Sequence, residues 1–192
     1  MFPDGSGTIA DDGPDFCYNI YMKNIQEIKT LYPDVDINQD GINDAYREDL
    51  PIVERDPLAV IIKHPTEDLY LMANWKNADW KGFLTGGIEE GDTLEKTVQK
   101  EIHEETGFKN VAKIVPLDFT AHALFFHTVK NVNRLAHYHL VFAELANLEQ
   151  DVVSEEEQKI ADFIWVPKNK VLETITRNAM KSLWNFYLNH GD

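Results

Sequence analysis

Beyond residue 57 the chain alternates short β-branched or aromatic runs with turn residues. The runs LAVIIKH (58–64), LYLMANW (69–75), KIVPLDF (113–119), HALFFHT (122–128), HYHLVFAEL (137–145) and DFIWVP (162–167) each predict a strand. Between them the apolar spacing predicts a helix over Thr93–Thr106 and another over Asn169–Leu188. Strands of this kind with two helices so placed predict an α/β fold with a mixed sheet in a sandwich, rather than a doubly wound parallel sheet. Nearer the front, Tyr21, Ile25, Ile28 and Tyr32 recur at helical spacing, predicting a helix over about 17–32 that Pro33 ends. Before it, MFPDGSGTIADDGPD has no hydrophobic period and reads as an irregular lead-in. The expected organisation is an N-terminal extension over 1–50, with an acidic loop at 34–44, followed by one domain over 51–192.

Composition sharpens this picture. Of 192 residues 43% are hydrophobic and 11% aromatic, enough for one sizeable core. Thirty-three acids against 18 bases give a net charge of −15, which argues against non-specific gripping of nucleic-acid phosphates. The same excess suits a protein that recruits divalent cations and lets them meet an anionic substrate. A single cysteine, Cys17, excludes an intrachain disulfide. Apolar runs stay far below the roughly 18 residues of a membrane span, and no secretory signal follows Met1, so a cytoplasmic location without membrane partners is expected.

The segment richest in chemistry is GGIEEGDTLEKTVQKEIHEETGF, Gly86 to Phe108. Asp92 followed by Glu95 reads as a capping box, and Gly107 as a left-handed C-terminal cap. At about 100° per residue, Leu94, Val98 and Ile102 form the face that enters the core. Glu105 falls inside that arc, and Glu101 and Glu104 along its edge, while Lys96, Gln99 and His103 lie opposite. Three carboxylates beside a buried stripe repel one another and lose hydration, at a cost on the order of several kcal/mol unless something neutralises them. Oxygen-only ligation favours Mg²⁺ or Mn²⁺. The preceding glycines, Gly86, Gly87 and Gly91, let the loop close against the first turn of the helix.

This segment resembles the Nudix box, G-x5-E-x7-R-E-U-x-E-E-x-G-U, with U bulky and apolar. Gly86, Glu101, Ile102, Glu104, Glu105, Gly107 and Phe108 match in register, while Asp92 stands for the first Glu and Lys100 for the Arg. The resemblance implies a Nudix α/β/α sandwich and hydrolysis of a nucleoside diphosphate derivative by attack of water on phosphorus. It also implies Mg²⁺ or Mn²⁺ held by Glu101, Glu104 and Glu105, with Gly86 at the same ion. Lys100 takes the bracing role of the family Arg with a point charge in place of a planar fork. The general base is Glu104 or an acid of SEEEQ (154–158), Glu156 or Glu157, just before the strand that holds Trp165. The rival reading of that acidic run is a solvated helix start after Ser154. A Nudix-fold binding or regulatory module without turnover is the alternative function, suggested by Asp92 and Lys100. Weaker likeness of YREDLPIVERD (46–56), DWKGFLTGGIEEG (79–91) and KNVNR (130–134) to the Nudix-like insertion of some bacterial leucyl-tRNA synthetases points to a translation-linked role for such a module. Many members of the family are dimers, so a homodimer is one expected assembly.

Recognition of the substrate is written more thinly. Trp75 and Trp80 in NWKNADWKG are candidates to stack on a base, or else a lid on the core. Arg134 is a candidate for phosphate or ribose, against a plain hairpin turn. His122, His127, His137 and His139 lack zinc-ligand spacing and read as sheet histidines with ordinary partners. In DVDINQDGIND, Asp36, Asn38, Asp40 and Asp44 match part of a calcium loop, against an Asx-turn linker; Arg47 stands where the bidentate Glu belongs.

Overall fold

The computed structural model describes residues 20–21, 24–41, 43–76, 78, 80–88 and 91–191. The lead-in, Cys17 and the first residues of the helix expected over 17–32 lie outside these.

A mixed sheet forms the middle layer. Strand β9 (Val132–Leu145) runs through its centre, antiparallel to β8 (Val111–His127) on one side and parallel to β3 (Ile52–Arg55) and β4 (Pro57–Lys63) on the other. Ile52 pairs with Asn133 and Leu58 with His139 in one continuous register, so β3 and β4 are two halves of a line interrupted at Asp56. Beyond β4 come β5 (Leu69–Trp75) and the edge strand β10 (Ala161–Pro167), both antiparallel to their neighbours. Short strands β6 (Trp80–Gly82) and β7 (Leu84–Gly87) pair with β5 and β4.

Strand β4 is buried on both faces, as its unbroken apolar run requires. Leu58, Val60 and Ile62 face helix α2 (Leu94–Thr106) through Val98 and Ile102. Ala59 and Ile61 face helix α5 (Asn178–His190) in a second cluster with Met180, Leu183, Trp184 and Tyr187. These two layers on one sheet are the α/β/α sandwich the sequence predicts. Among the described residues no helix is long and apolar enough to cross a membrane.

Three expectations are corrected. The front helix is only α1 (Ile25–Leu31), because Asn24 and Glu27 make a capping box that starts it there: the Asn24 side chain accepts the Gln26 and Glu27 N–H groups at 2.9 and 3.0 Å, and Glu27 accepts the Asn24 N–H at 3.1 Å. Ile20–Tyr21 instead form β1, paired with β3. The strands expected at 113–119 and 122–128 are one long strand whose pairing is irregular between Pro116 and Thr120. The last helix breaks into α4 (Lys168–Thr174) and α5, with Ile175 buried at the break.

The extension joins the sheet. Ile28 of α1 is fully buried against Ile52, Leu124 and Leu135, and β2 (Asp36–Ile37) pairs parallel with β8. The calcium reading of the acidic loop gives way to Arg177. Its Nη1 donates to Asn38 Oδ1 at 2.7 Å and its Nη2 meets Asp44 Oδ2 at 2.8 Å, with Asp40 at 3.8 Å. Asp36 caps α5 by accepting the Ala179 N–H at 3.0 Å, and Asn38 also accepts the Gly41 N–H. Asn38 Oδ1 and one oxygen each of Asp44 and Asp36 are thus taken by a guanidinium or by backbone N–H groups, the second being the Asx-turn behaviour of the linker reading. Asp44 Oδ1 has no hydrogen-bond partner among the described residues, and Asp40 stands in solvent.

Candidate active site

Helix α2 occupies nearly the predicted span. Its N-cap is Thr93, whose hydroxyl accepts the Lys96 N–H at 3.2 Å, rather than the expected Asp92–Glu95 box. Asp92 pairs with Lys96 instead, one turn along the same helix. Gly107 ends the helix at φ +77°, and its N–H donates to the His103 carbonyl.

Strand β7 brings Gly86 under the helix. A Cβ added there would lie 2.4 Å from the Glu101 carboxyl carbon and 2.6 Å from its Oε1, so only a glycine lets this carboxylate rest against the strand backbone. Glu101 and Glu105 are half-buried, Glu104 is exposed, and Lys100 is half-buried on the same helix. Burial pushes the Glu105 carboxyl up to about 8, and the like charges of Glu101, Glu157 and Glu104 add to the effect.

Glu157 arrives from a different element. Ser154 caps helix α3 (Glu155–Ile160) through Glu157 N–H at 3.2 Å, the helix start that was the rival reading of SEEEQ. Glu155 and Glu156 stand in solvent, whereas Glu157 is half-buried and acts on Glu105. The run is thus a helix start, and of its three glutamates Glu157 is the one whose charge reaches Glu105. Between α2, α3 and β10 lies a cleft of about 370 Å³, bordered by Glu105, Lys76, Gln158, Asp162, Phe163 and Trp165.

A family model, NUDIX domain, matches residues 55–185. The chain belongs to the Nudix family. The fold agrees. The Escherichia coli dihydroneopterin triphosphate pyrophosphohydrolase aligns with a TM-score of 0.54 at 15% identity, over 70% of this chain and 95% of that one. The Nudix domain of Shewanella oneidensis NrtR, solved with ADP-ribose, aligns with a TM-score of 0.53 at 15% identity, over 72% of this chain and 89% of that one. No curated protein matches the chain.

The other candidates sit elsewhere on this Nudix fold. Trp75 and Trp80 meet edge to face at 6.0 Å, and Trp80 packs on Phe125 in the cluster beneath α5. Arg134 is in register with Phe125 and shares the sheet face of Ala136 and Tyr138. Trp80 and Arg134 thus lie on the face opposite the box helix, whereas Trp75 pairs with Ala161 at the cleft end of β10. The KNVNR segment is a hairpin between β8 and β9, and its Asn133 is buried, donating to the Arg47 and Leu50 carbonyls. His122 and His137 bond each other at 2.7 Å under the Tyr32 ring, His139 bonds Asp56 and Thr120, and His127 accepts the Lys130 N–H. Each histidine has an ordinary partner.

Sequence reasoning passed over Lys76. Its position at a strand end beside a tryptophan carries no periodic signal, and its contacts reach residues far along the chain.

Proposed function

We propose that this Nudix protein is a divalent-metal-dependent hydrolase that cleaves the diphosphate linkage of a nucleoside diphosphate derivative. The observation that carries the reading is Glu105, buried beside Glu101, Glu104 and Glu157 with its carboxyl pushed up to about 8. Such a cluster is costly without a counter-charge, and its all-oxygen donors fit Mg²⁺ or Mn²⁺. Among the described residues no three His, Cys, Asp or Glu side chains converge on one point. Glu101, Glu104, Glu105 and the Gly86 backbone are the groups that would hold the cation.

The ion, once bound, acidifies water and screens phosphoryl charge. The chain's own residues do the rest. Gly86 admits the Glu101 carboxylate to the strand. Glu157 or Glu104 accepts the proton of the attacking water as the bond from phosphorus to the bridging oxygen breaks. Lys100 braces the box loop. The cleft beside Glu105 has a volume in the range of small-molecule sites. Trp80 and Arg134 take a base or ribose only if the substrate reaches round to the other sheet face, whereas Trp75 is in register with Ala161 of the cleft. Residues 51–192 form the hydrolase domain.

The test is release of phosphate or nucleotide products from a panel of sugar nucleotides, dinucleoside polyphosphates, NADH, ADP-ribose and oxidised nucleotides, with Mg²⁺ or Mn²⁺. ADP-ribose belongs there because the NrtR domain was solved with it. Metal-dependent turnover that Glu105→Gln abolishes supports the hydrolase. Binding without turnover across the panel supports the second reading, a nucleotide-binding or regulatory module, which the pairing of Asp92 with Lys96 favours.

A further inference from the structure

Helix α3 brings Glu157 to Glu105, yet none of its six residues is buried. A helix this short has little stability of its own, and without an apolar anchor its place depends on polar contacts. Within the segment, Ser154 caps the Glu157 N–H and the Ala161 N–H donates to the Glu157 carbonyl. From outside it, polar contacts come from Lys76, just past the end of β5.

Lys76 makes two of them, and a third contact to the strand that follows. Its backbone N–H donates to the Ile160 carbonyl at 2.9 Å, continuing the β5–β10 ladder by one step. Its Nζ donates to the Gln158 carbonyl at 2.6 Å and meets Asp162 Oδ1 at 2.8 Å. A cation at the C-terminal end of a helix satisfies carbonyls that have no partner within it and complements the negative end of its dipole. Gln158 is the residue next to Glu157, so the ammonium grips the backbone one residue from the carboxylate.

We infer that Lys76 is a positioning residue that fixes α3, and with it Glu157, against Glu105. The inference rests on the hydrolase reading in taking Glu157 as a member of the cation cluster. Although Lys76 borders the cleft, its charge is already matched by Asp162. Its part is to hold the wall of the cleft rather than to bind a phosphate.

The test is a titration of the full chain with Mn²⁺ alone, following free Mn²⁺ by electron paramagnetic resonance. Glu157→Gln and Lys76→Met are each expected to weaken Mn²⁺ binding by about tenfold, the scale of lost support around a metal site. The double variant is expected to bind no more weakly than either single one, because both remove the same interaction. Lys76→Arg keeps a donor at the helix end and is expected to restore most of the affinity. With its side chain 37% exposed, Lys76 is replaceable without loss of the fold, which thermal melting checks. Losses that multiply in the double variant overturn the inference, as does a failure of Lys76→Arg to recover affinity. A loss in Glu105→Gln with none in Lys76→Met overturns the inference alone, whereas unchanged affinity in Glu105→Gln overturns the hydrolase reading and the inference with it.

Discussion

Gly86 and Glu101 lie so close that a single added carbon on the glycine would stand 2.4 Å from the glutamate's carboxyl carbon. The two come from separate elements, strand β7 and helix α2, and their approach sets the distance between the helix and the strand backbone. Gly86→Ala is therefore expected to displace the Glu101 carboxylate while leaving the core intact. Mn²⁺ affinity and any metal-dependent turnover should fall by about tenfold or more, with little change in melting temperature. Wild-type affinity in the alanine variant would show that this contact does not set the ligand geometry.

Glu105 gives a pH dependence with a definite sign. Its carboxyl is raised from 4.5 to about 8 by burial first and by Glu101, Glu157 and Glu104 next. A group raised on folding contributes stability that is fully present below its unfolded value and is lost as pH rises through the folded one. Without divalent ions, the chain should thus lose stability between about pH 4.5 and 8 through this group, and Glu105→Gln should flatten that part of the profile. Near neutral pH, a metal that takes the carboxylate must expel close to one proton. Calorimetry in buffers of different ionisation enthalpy counts it, and no proton release would contradict the raised value.

Arg177 and Asp44 form a largely buried pair, with side chains 15% and 6% exposed. Removing one partner of such a pair leaves a charge without compensation, at a cost of about 3–5 kcal/mol. Arg177→Met is expected to destabilise the chain on that scale in urea unfolding. Added Ca²⁺ should leave the wild-type midpoint unchanged, since the guanidinium holds the Asn38 and Asp44 acceptors.

Gly107 adopts φ +77°, and a Cβ there would meet the Asp151 carbonyl oxygen at 2.3 Å. Both the left-handed backbone and a contact with main chain oppose any side chain. Gly107→Ala should cost about 1–3 kcal/mol, read as a lower urea midpoint, more than an exposed cap alone would give. Because Asp151 also bonds His103 and Lys109, the shift should be accompanied by loss of order in the segment leading to α3, visible as faster amide exchange.

Much of this architecture is legible in the sequence because it depends on local rules. Apolar or aromatic runs bounded by turn residues mark β4, β5, β9 and β10, period 3.6 marks α2, and Gly107 marks its end, since each pattern reports how a segment leaves water. The box glutamates are placed by the same reasoning, which sets three carboxylates on the margin of an apolar stripe. Periodicity does not say which partner covers a face. Tertiary structure alone sends Arg177 into the acidic loop where a calcium ion was one reading, because a guanidinium from a distant segment competes for the same acceptors. It alone sets Trp80 and Arg134 on the sheet face away from α2, a consequence of register across strands. It alone chooses Glu157 from three adjacent glutamates and has Lys76 hold it there, because a short helix with nothing buried takes its position from polar contacts that lie far away in the chain.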